Sequence, residues 1–246
     1  RRPPRSTLFP YTTLFPISRG FFCGIGKCSS CLMRVNGVPN VRTCIAPLQK
    51  DIIVERQHEL AAPPTAPFIS LGKRTITTDV LVVGAGPAGL CAAIQAASHG
   101  AHVLLVDENP RLGGQLIKQT HKFFGSLQER AGTRGIDIAS DLEKDIKTYE
   151  QSGKLTLMAE STVIGAYEAT EGYRFGLVKR INYQTQLYDI HCGAAILACG
   201  AMENMLLFPG NDLPGGYGAG AVQTLMNVYG VKPGDHLKLK IGGDCG

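Results

Sequence analysis

Four of the chain's eight cysteines fall between residues 23 and 44, in the spacing Cys23-x4-Cys28-x2-Cys31-x12-Cys44. Thiols gathered this densely pair as disulfides, hold zinc, or hold an iron-sulfur core. Disulfides fit worst: no secretory leader is recognisable, and the sequence continues into a nucleotide-binding pattern of the kind intracellular enzymes carry. Structural zinc sites commonly pair two short C-x2-C knuckles, whereas three of these cysteines share one loop and the fourth stands apart. The plant-type 2Fe-2S arrangement, C-x4-C-x2-C and then a more distant cysteine, is reproduced. Gly24, Gly26, Ser29 and Ser30 give the loop freedom to turn backbone N-H groups toward the sulfurs, which tunes such a core through hydrogen bonds. Cys23, Cys28, Cys31 and Cys44 are thus the expected cluster ligands, with zinc as the alternative.

The second chemical pattern is VLVVGAGPAG, a glycine-rich turn with an apolar strand before it and an alanine-rich helix after it. Gly84 permits the turn, Gly86 lets the backbone approach a pyrophosphate, and Gly89 lets helix and strand pack closely. Pro87 and Ala88 open the helix, whose N-terminus would face the phosphates. Asp107, twenty-three residues after Gly84, is placed to accept hydrogen bonds from ribose hydroxyls, and its neighbour Glu108 is the lesser candidate. The same fingerprint serves NAD and FAD. The sequence resembles the two-dinucleotide-binding flavoproteins, in which the first such unit holds FAD and a GG dipeptide follows it. Here that dipeptide lies in RLGGQL, and the resemblance implies FAD contacts at Gly113, Gly114 and Gln115. AAILACGA matches the later strand that returns to the flavin, with Gly200 intact and Cys199 where threonine is usual. Such enzymes sometimes carry a redox cysteine pair, but QLIKQTHKFFGS after the GG turn has none. Cys91, Cys192 and Cys199 are read as small core residues.

Elements and boundaries must position these groups. Residues 1 to 17 repeat TLFP at a period of six and are expected to be a tail, either non-native, as a translated adapter would be, or disordered. Residues 18 to 60 form the cysteine block, 61 to 74 a Pro-rich linker, and 75 to 246 a dinucleotide-binding domain truncated at its C-terminus. IDIASDLEKDIKTYE, residues 136 to 150, has helical periodicity, with Gly153 as its stop. LTLMAESTVIGAYEA, GYRFGLVKR and QLYDIHC read as strands of a small antiparallel layer, and AAILACG as a separate, buried strand. A further helix is expected from Ala219 to Val228, and IGGDCG at the end as the opening of a damaged or truncated NAD(P)-binding unit. The fold class is α/β: a Rossmann-like FAD-binding domain preceded by a partial ferredoxin-like domain.

Composition excludes other classes. Four arginines among the first twenty residues supply most of the formal charge of +5, and the remaining basic residues are interspersed with acids, so no basic stripe marks a nucleic-acid partner. No apolar run is long enough to span a membrane, and a cytoplasmic location is expected.

The cysteine block resembles the ferredoxin-like 2Fe-2S domains fused to flavoprotein subunits, a β-grasp fold whose portion before the first ligand is missing here. With LVDENPRLGGQL, HKFFGS, RGIDIA and LLFPGNDLPGGYGAGAVQTLMN, residues 18 to 240 resemble the α subunits of heterotetrameric sarcosine oxidase. Related subunits of proline and hydroxyproline dehydrogenases, opine oxidases and hydrogen cyanide synthase share the pattern. The resemblance implies FAD and a 2Fe-2S cluster, oxidation of a secondary amine or amino acid or the relay of its electrons, and a partner in the form of a second flavoprotein subunit. No catalytic residue is assigned; His121, just past the GG turn, is the histidine to examine, and Tyr217 is a weaker candidate. The alternatives are an NAD(P)H-dependent flavin and iron-sulfur reductase, or a non-catalytic protein binding zinc and NAD.

Overall fold

A computed structural model describes residues 21–57, 72–122, 124–126, 128–181, 184–203, 206, 208–209, 215–236 and 238. The expected tail, the Pro-rich stretch 61 to 68, His58 and the IGGDCG stretch with Cys245 lie outside them. The chain divides into two compact units, Pro67–Ala201 and a second made of Arg1–Ala66 with Met202–Gly246.

In the cysteine-bearing unit, β1 (Leu32–Val35) pairs antiparallel with β2 (Val38–Arg42) and with β3 (Val54–Glu55). Asn36 and Gly37 close the first hairpin, both at positive φ (49° and 78°), as a two-residue turn between right-twisting strands requires. Leu32, Met33 and Val35 are buried. Gln57, also buried, accepts the Asn40 N-H at 2.8 Å, so its amide is not left unpaired.

The other unit is a six-stranded sheet in the order β6-β5-β4-β9-β8-β7. Strands β4 (Lys73–Val83), β5 (Val103–Val106), β6 (Leu155–Met158) and β9 (Gln184–Leu197) run parallel, while β8 (Tyr173–Ile181) and β7 (Ser161–Tyr167) continue the sheet antiparallel. The first strand thus lies inside the parallel part, with later strands on both sides. In doubly wound sheets ligands bind outside the carboxyl ends of strands at such a switch point. Every residue of β5, Val-Leu-Leu-Val, is buried, as a strand covered on both faces must be.

One face is covered by α1 (Pro87–Ser98) and α2 (Gly135–Gln151), which pack Leu90, Ala93, Leu142 and Ile146 onto Val82, Val103 and Leu105. On the other, Phe175 and Leu177 of β8 and Tyr188 and Ile190 of β9 pack with Leu81, Leu104 and Val106. α2 spans its expected range to within a residue at each end and stops at Gly153 (φ 71°). There the N-H of Gly153 reaches the Glu150 carbonyl and that of Lys154 the Tyr149 carbonyl, both at 3.0 Å, closing the helix.

Three expectations are corrected. LTLM belongs to the parallel sheet beside β5 and not to the antiparallel layer. QLYDIHC and AAIL are one strand, β9, because Gly193 continues in extended pairing and does not turn. The end of β9 is not buried: Ile196 is 37% and Leu197 69% exposed, although they pair with Val82 and Val83 of β4. No helix among the described residues is long and apolar enough to cross a membrane.

On the outer face of the antiparallel layer, the buried Asp189 is clamped by Arg174 (Nε 2.8 Å, Nη2 3.0 Å) and Lys73 (2.8 Å), with His191 at 3.6 Å. Hydrogen bonds from Arg174, then Lys73, hold its carboxyl well below the usual carboxylate range. A group depressed in the folded state stabilises above its unfolded value, about 3.9 for Asp, and loses that contribution as pH falls toward the folded value. Asp189→Asn is therefore expected to cost roughly 1–3 kcal/mol at pH 7, toward the lower end because its partners are half-exposed. The gap from wild type should narrow below about pH 4. Urea unfolding of both proteins at pH 7 and pH 3 checks this, and a gap that persists undiminished at pH 3 refutes it.

Candidate functional site

The glycine turn leaves the end of β4 and is tied down on every side by backbone. Gly84, at φ 104°, donates its N-H to the Val106 carbonyl at 2.8 Å, and Ala198 donates to the Val83 carbonyl at 2.8 Å. A side chain at Gly84 would strike the Ala198 carbonyl, and one at Gly89 the Gly84 carbonyl oxygen, so α1 begins in direct contact with the turn. Pro87 opens α1, where its missing N-H costs nothing. Gly86 differs: φ is −73°, and a methyl group there would meet no atom within 4 Å. That open space, in front of the first N-H groups of α1, suits a pyrophosphate.

The GG turn closes onto this loop. Gly113 donates to the Ala85 carbonyl at 2.8 Å, and a methyl on Gly114 would lie 2.8 Å from Gly86 Cα. A single 3-10 turn, Gly114–Lys118, follows, with Gln115 exposed on it. The structure therefore brings Gly84, Gly86, Pro87, Ala88, Gly89, Gly113 and Gly114 together. Asp107 is partly engaged: Oδ2 accepts the Ala85 N-H at 2.6 Å and Oδ1 accepts the Asn109 backbone and side-chain N-H groups at 2.8 and 2.9 Å. Fixed so, the carboxylate braces the glycine turn and keeps further lone pairs for a ribose. Glu108 is exposed, as is Gly200 at φ 69° beyond the end of β9.

Sequence reasoning missed Gln119, which directly follows the 3-10 turn. Its Oε1 is the one buried side-chain nitrogen or oxygen among the described residues with no hydrogen-bond partner, a state that ordinarily costs about 1–3 kcal/mol. A bound cofactor supplying an N-H or O-H would relieve it. No local pattern marks such a glutamine; only the burial of its Oε1 does. His121 is exposed and stacks on Phe124 with ring centroids 5.1 Å apart. Cys192 is buried, and burial pushes its thiol up, but Cys91 and Cys199 are exposed. Cys91 faces outward from α1 because Leu90 and Ala93 take the core side, and Cys199 lies past the strand end. The open cleft of about 500 Å3 lined by Glu168, Ala169, Thr170, Glu171, Arg174 and His191 lies at the β7–β8 hairpin and shares no residue with the glycine turn.

The four thiols form a chain of contacts, Cys28 to Cys23 to Cys44 to Cys31. Gly24 and Gly26, at φ 66° and 72°, fold the loop so that its N-H groups point inward. Cys23 Sγ accepts from Ile25 N at 3.5 Å and from Cys28 N at 3.4 Å. The hydrogen bond with Cys44, and then these backbone donors, bring the Cys23 thiol down to about 4 against the effect of burial. The hydrogen bond with Cys44 likewise brings Cys31 down to about 6. Cys44, between the two, is pushed far above the ordinary thiol range by Cys23, then Cys31, then burial. Cationic iron would favour the ionised form of all four thiols. Among the described residues no three or more His, Cys, Asp and Glu side chains gather around one metal ion.

Comparison with known proteins bears on both regions. Residues 8–59 match the 2Fe-2S iron-sulfur cluster binding domain family and residues 79–174 the FAD dependent oxidoreductase family. The two matches support FAD and a 2Fe-2S cluster as the cofactors. More particularly, the chain is homologous to the α subunits of sarcosine oxidase and to the A components of opine oxidase. It is 34% identical to the α subunit of sarcosine oxidase from Corynebacterium sp. (strain P-1) over 66% of this chain and 17% of that one. It is 30% identical to the A component of opine oxidase from Agrobacterium tumefaciens (strain Ach5) over 63% of this chain and 30% of that one. L-proline dehydrogenase from P. horikoshii shares the fold, with a TM-score of 0.67 at 23% identity over 82% of this chain and 38% of that one. The chain spans less than a third of the length of the first two.

Proposed function

We propose that this chain is the redox portion of a multi-subunit enzyme that oxidises a secondary amine or amino acid of the sarcosine, proline or opine type. The observation that carries the reading is the pairing, in one chain, of a thiol set fitted to a 2Fe-2S cluster with a glycine turn and GG turn fitted to FAD. When bound, the flavin supplies two-electron oxidation and the cluster one-electron transfer. The chain's own residues bind and orient. Gly86 and the start of α1 receive the pyrophosphate, Asp107 and then Glu108 the ribose. Gly113, Gly114, Gln115 and Gly200 line the flavin side, and Cys23, Cys28, Cys31 and Cys44 hold the irons. The relatives named as enzyme subunits support a partner in the form of a second flavoprotein subunit.

The test is an anaerobic visible spectrum of the full-length protein with its partner. Flavin and iron-sulfur bands that bleach with sarcosine, L-proline or an opine are the expected result. Bleaching by NADH alone would make the chain a pyridine-nucleotide-dependent reductase, and a colourless protein would refute both cofactors.

A further inference from the structure

Glu203 stands three residues after Gly200 and belongs to none of the sequence motifs. Its carboxylate accepts the backbone N-H of Ala219 at 2.7 Å and of Gly220 at 3.1 Å, at the start of α3 (Ala219–Gln223), which continues as a π-turn over Thr224–Val228. Gly218 makes room for it, since a methyl there would lie 2.6 Å from Glu203 Oε2. The same Gly218 donates its own N-H to the Phe22 carbonyl at 3.2 Å, directly before Cys23. On the other side of Cys23, a methyl on Gly24 would lie 3.5 Å from the Cα of Ala221, which is buried. The first turn of α3 is therefore held between the Glu203 carboxylate and the two residues that flank the first cluster ligand.

We infer that Glu203 is an electrostatic positioning residue for the cluster: it fixes α3 against the cysteine loop and holds the cluster's reduction potential down. This rests on the 2Fe-2S reading of the four cysteines. Reduction adds one negative charge to the cluster, and a carboxylate fixed on the turn that touches Phe22 and Gly24 opposes that addition. Glu203 is exposed, so water and salt weaken the effect, and a change of about threefold in the redox equilibrium is expected at low ionic strength.

The experiment is a redox titration of the cluster-loaded full chain, followed by EPR of the reduced cluster, for wild type, Glu203→Gln and Glu203→Asp. Glutamine keeps the shape and one acceptor but removes the charge. Its potential should rise by about 30 mV, the threefold change at 59 mV per tenfold for one electron. The difference should fall by more than half between about 0.01 M and 1 M salt, as the screening length shrinks from about 30 Å to about 3 Å. Aspartate should stay near wild type. A glutamine variant at the wild-type potential, a shift indifferent to salt, or loss of the cluster in that variant each overturns the inference, the last leaving Glu203 as a cap alone. A wild-type chain that assembles no cluster overturns the reading beneath it.

Discussion

Alanine at Cys44 should abolish the iron-sulfur cluster while leaving the flavin in place. Cys44 contacts both Cys23 and Cys31, so its removal separates the remaining thiols into an end pair and a lone buried cysteine. Three thiolates cannot complete a core that takes four. Iron and acid-labile sulfide per chain are expected to fall at least about tenfold, with loss of the EPR signal of the reduced protein, because the missing ligand leaves one iron open to solvent. Flavin content of the same sample separates ligand loss from misfolding, since the FAD fingerprint lies in the other compact unit. Cys91→Ala, in the exposed face of α1, should leave both cofactors unchanged. A Cys44→Ala protein that keeps its cluster would remove Cys44 from the ligand set.

Two alanine substitutions three residues apart should fail in different ways. At Gly89 the methyl meets the Gly84 carbonyl oxygen inside the glycine turn, where only backbone could yield, so the flavin-free protein itself should lose about 1–3 kcal/mol of stability or more. At Gly86 the methyl meets no protein atom, and φ of −73° suits alanine, so stability should stay within about 0.5 kcal/mol of wild type. FAD affinity should nevertheless drop at least about tenfold, some 1.4 kcal/mol, because the methyl fills the space in front of α1 where the pyrophosphate must approach. Thermal unfolding of the apoproteins and fluorescence titration with FAD check the contrast. A Gly86→Ala protein that binds FAD as wild type does would move the pyrophosphate elsewhere.

What the sequence disclosed follows the range of the interactions. The cysteine spacing and the strand, glycine turn and helix of VLVVGAGPAG are local, and the backbone geometry around Gly24, Gly26, Gly84 and Gly113 is what those residue types allow. α2 was legible to within a residue at each end because its apolar period and its terminating Gly153 lie in one stretch. The union of QLYDIHC with AAIL was not, because Gly193 resembles a break until β4 and β8 are seen pairing across it. The exposure of Cys91 and Cys199 depends on which helix face meets the sheet and on where β9 ends. Gln119 and Glu203 carry no signature: one matters through an unmet acceptor, the other through a partner turn sixteen residues away.

The pairing of β4 with β9 bears on how this protein is made. Lys73 lies beside Leu187 and Val83 beside Leu197, so the inner strand stands with one edge unpaired until the ribosome has released everything up to Leu197. At roughly 5–20 residues per second that interval is on the order of ten seconds. Through it the nascent chain presents a bare β edge of the sort that templates aggregation, and chain closure over so long a loop is slow in any case. Recombinant yield should therefore depend on chaperone supply and on prompt translation from β6 through Leu197 more than on the stability of the finished fold.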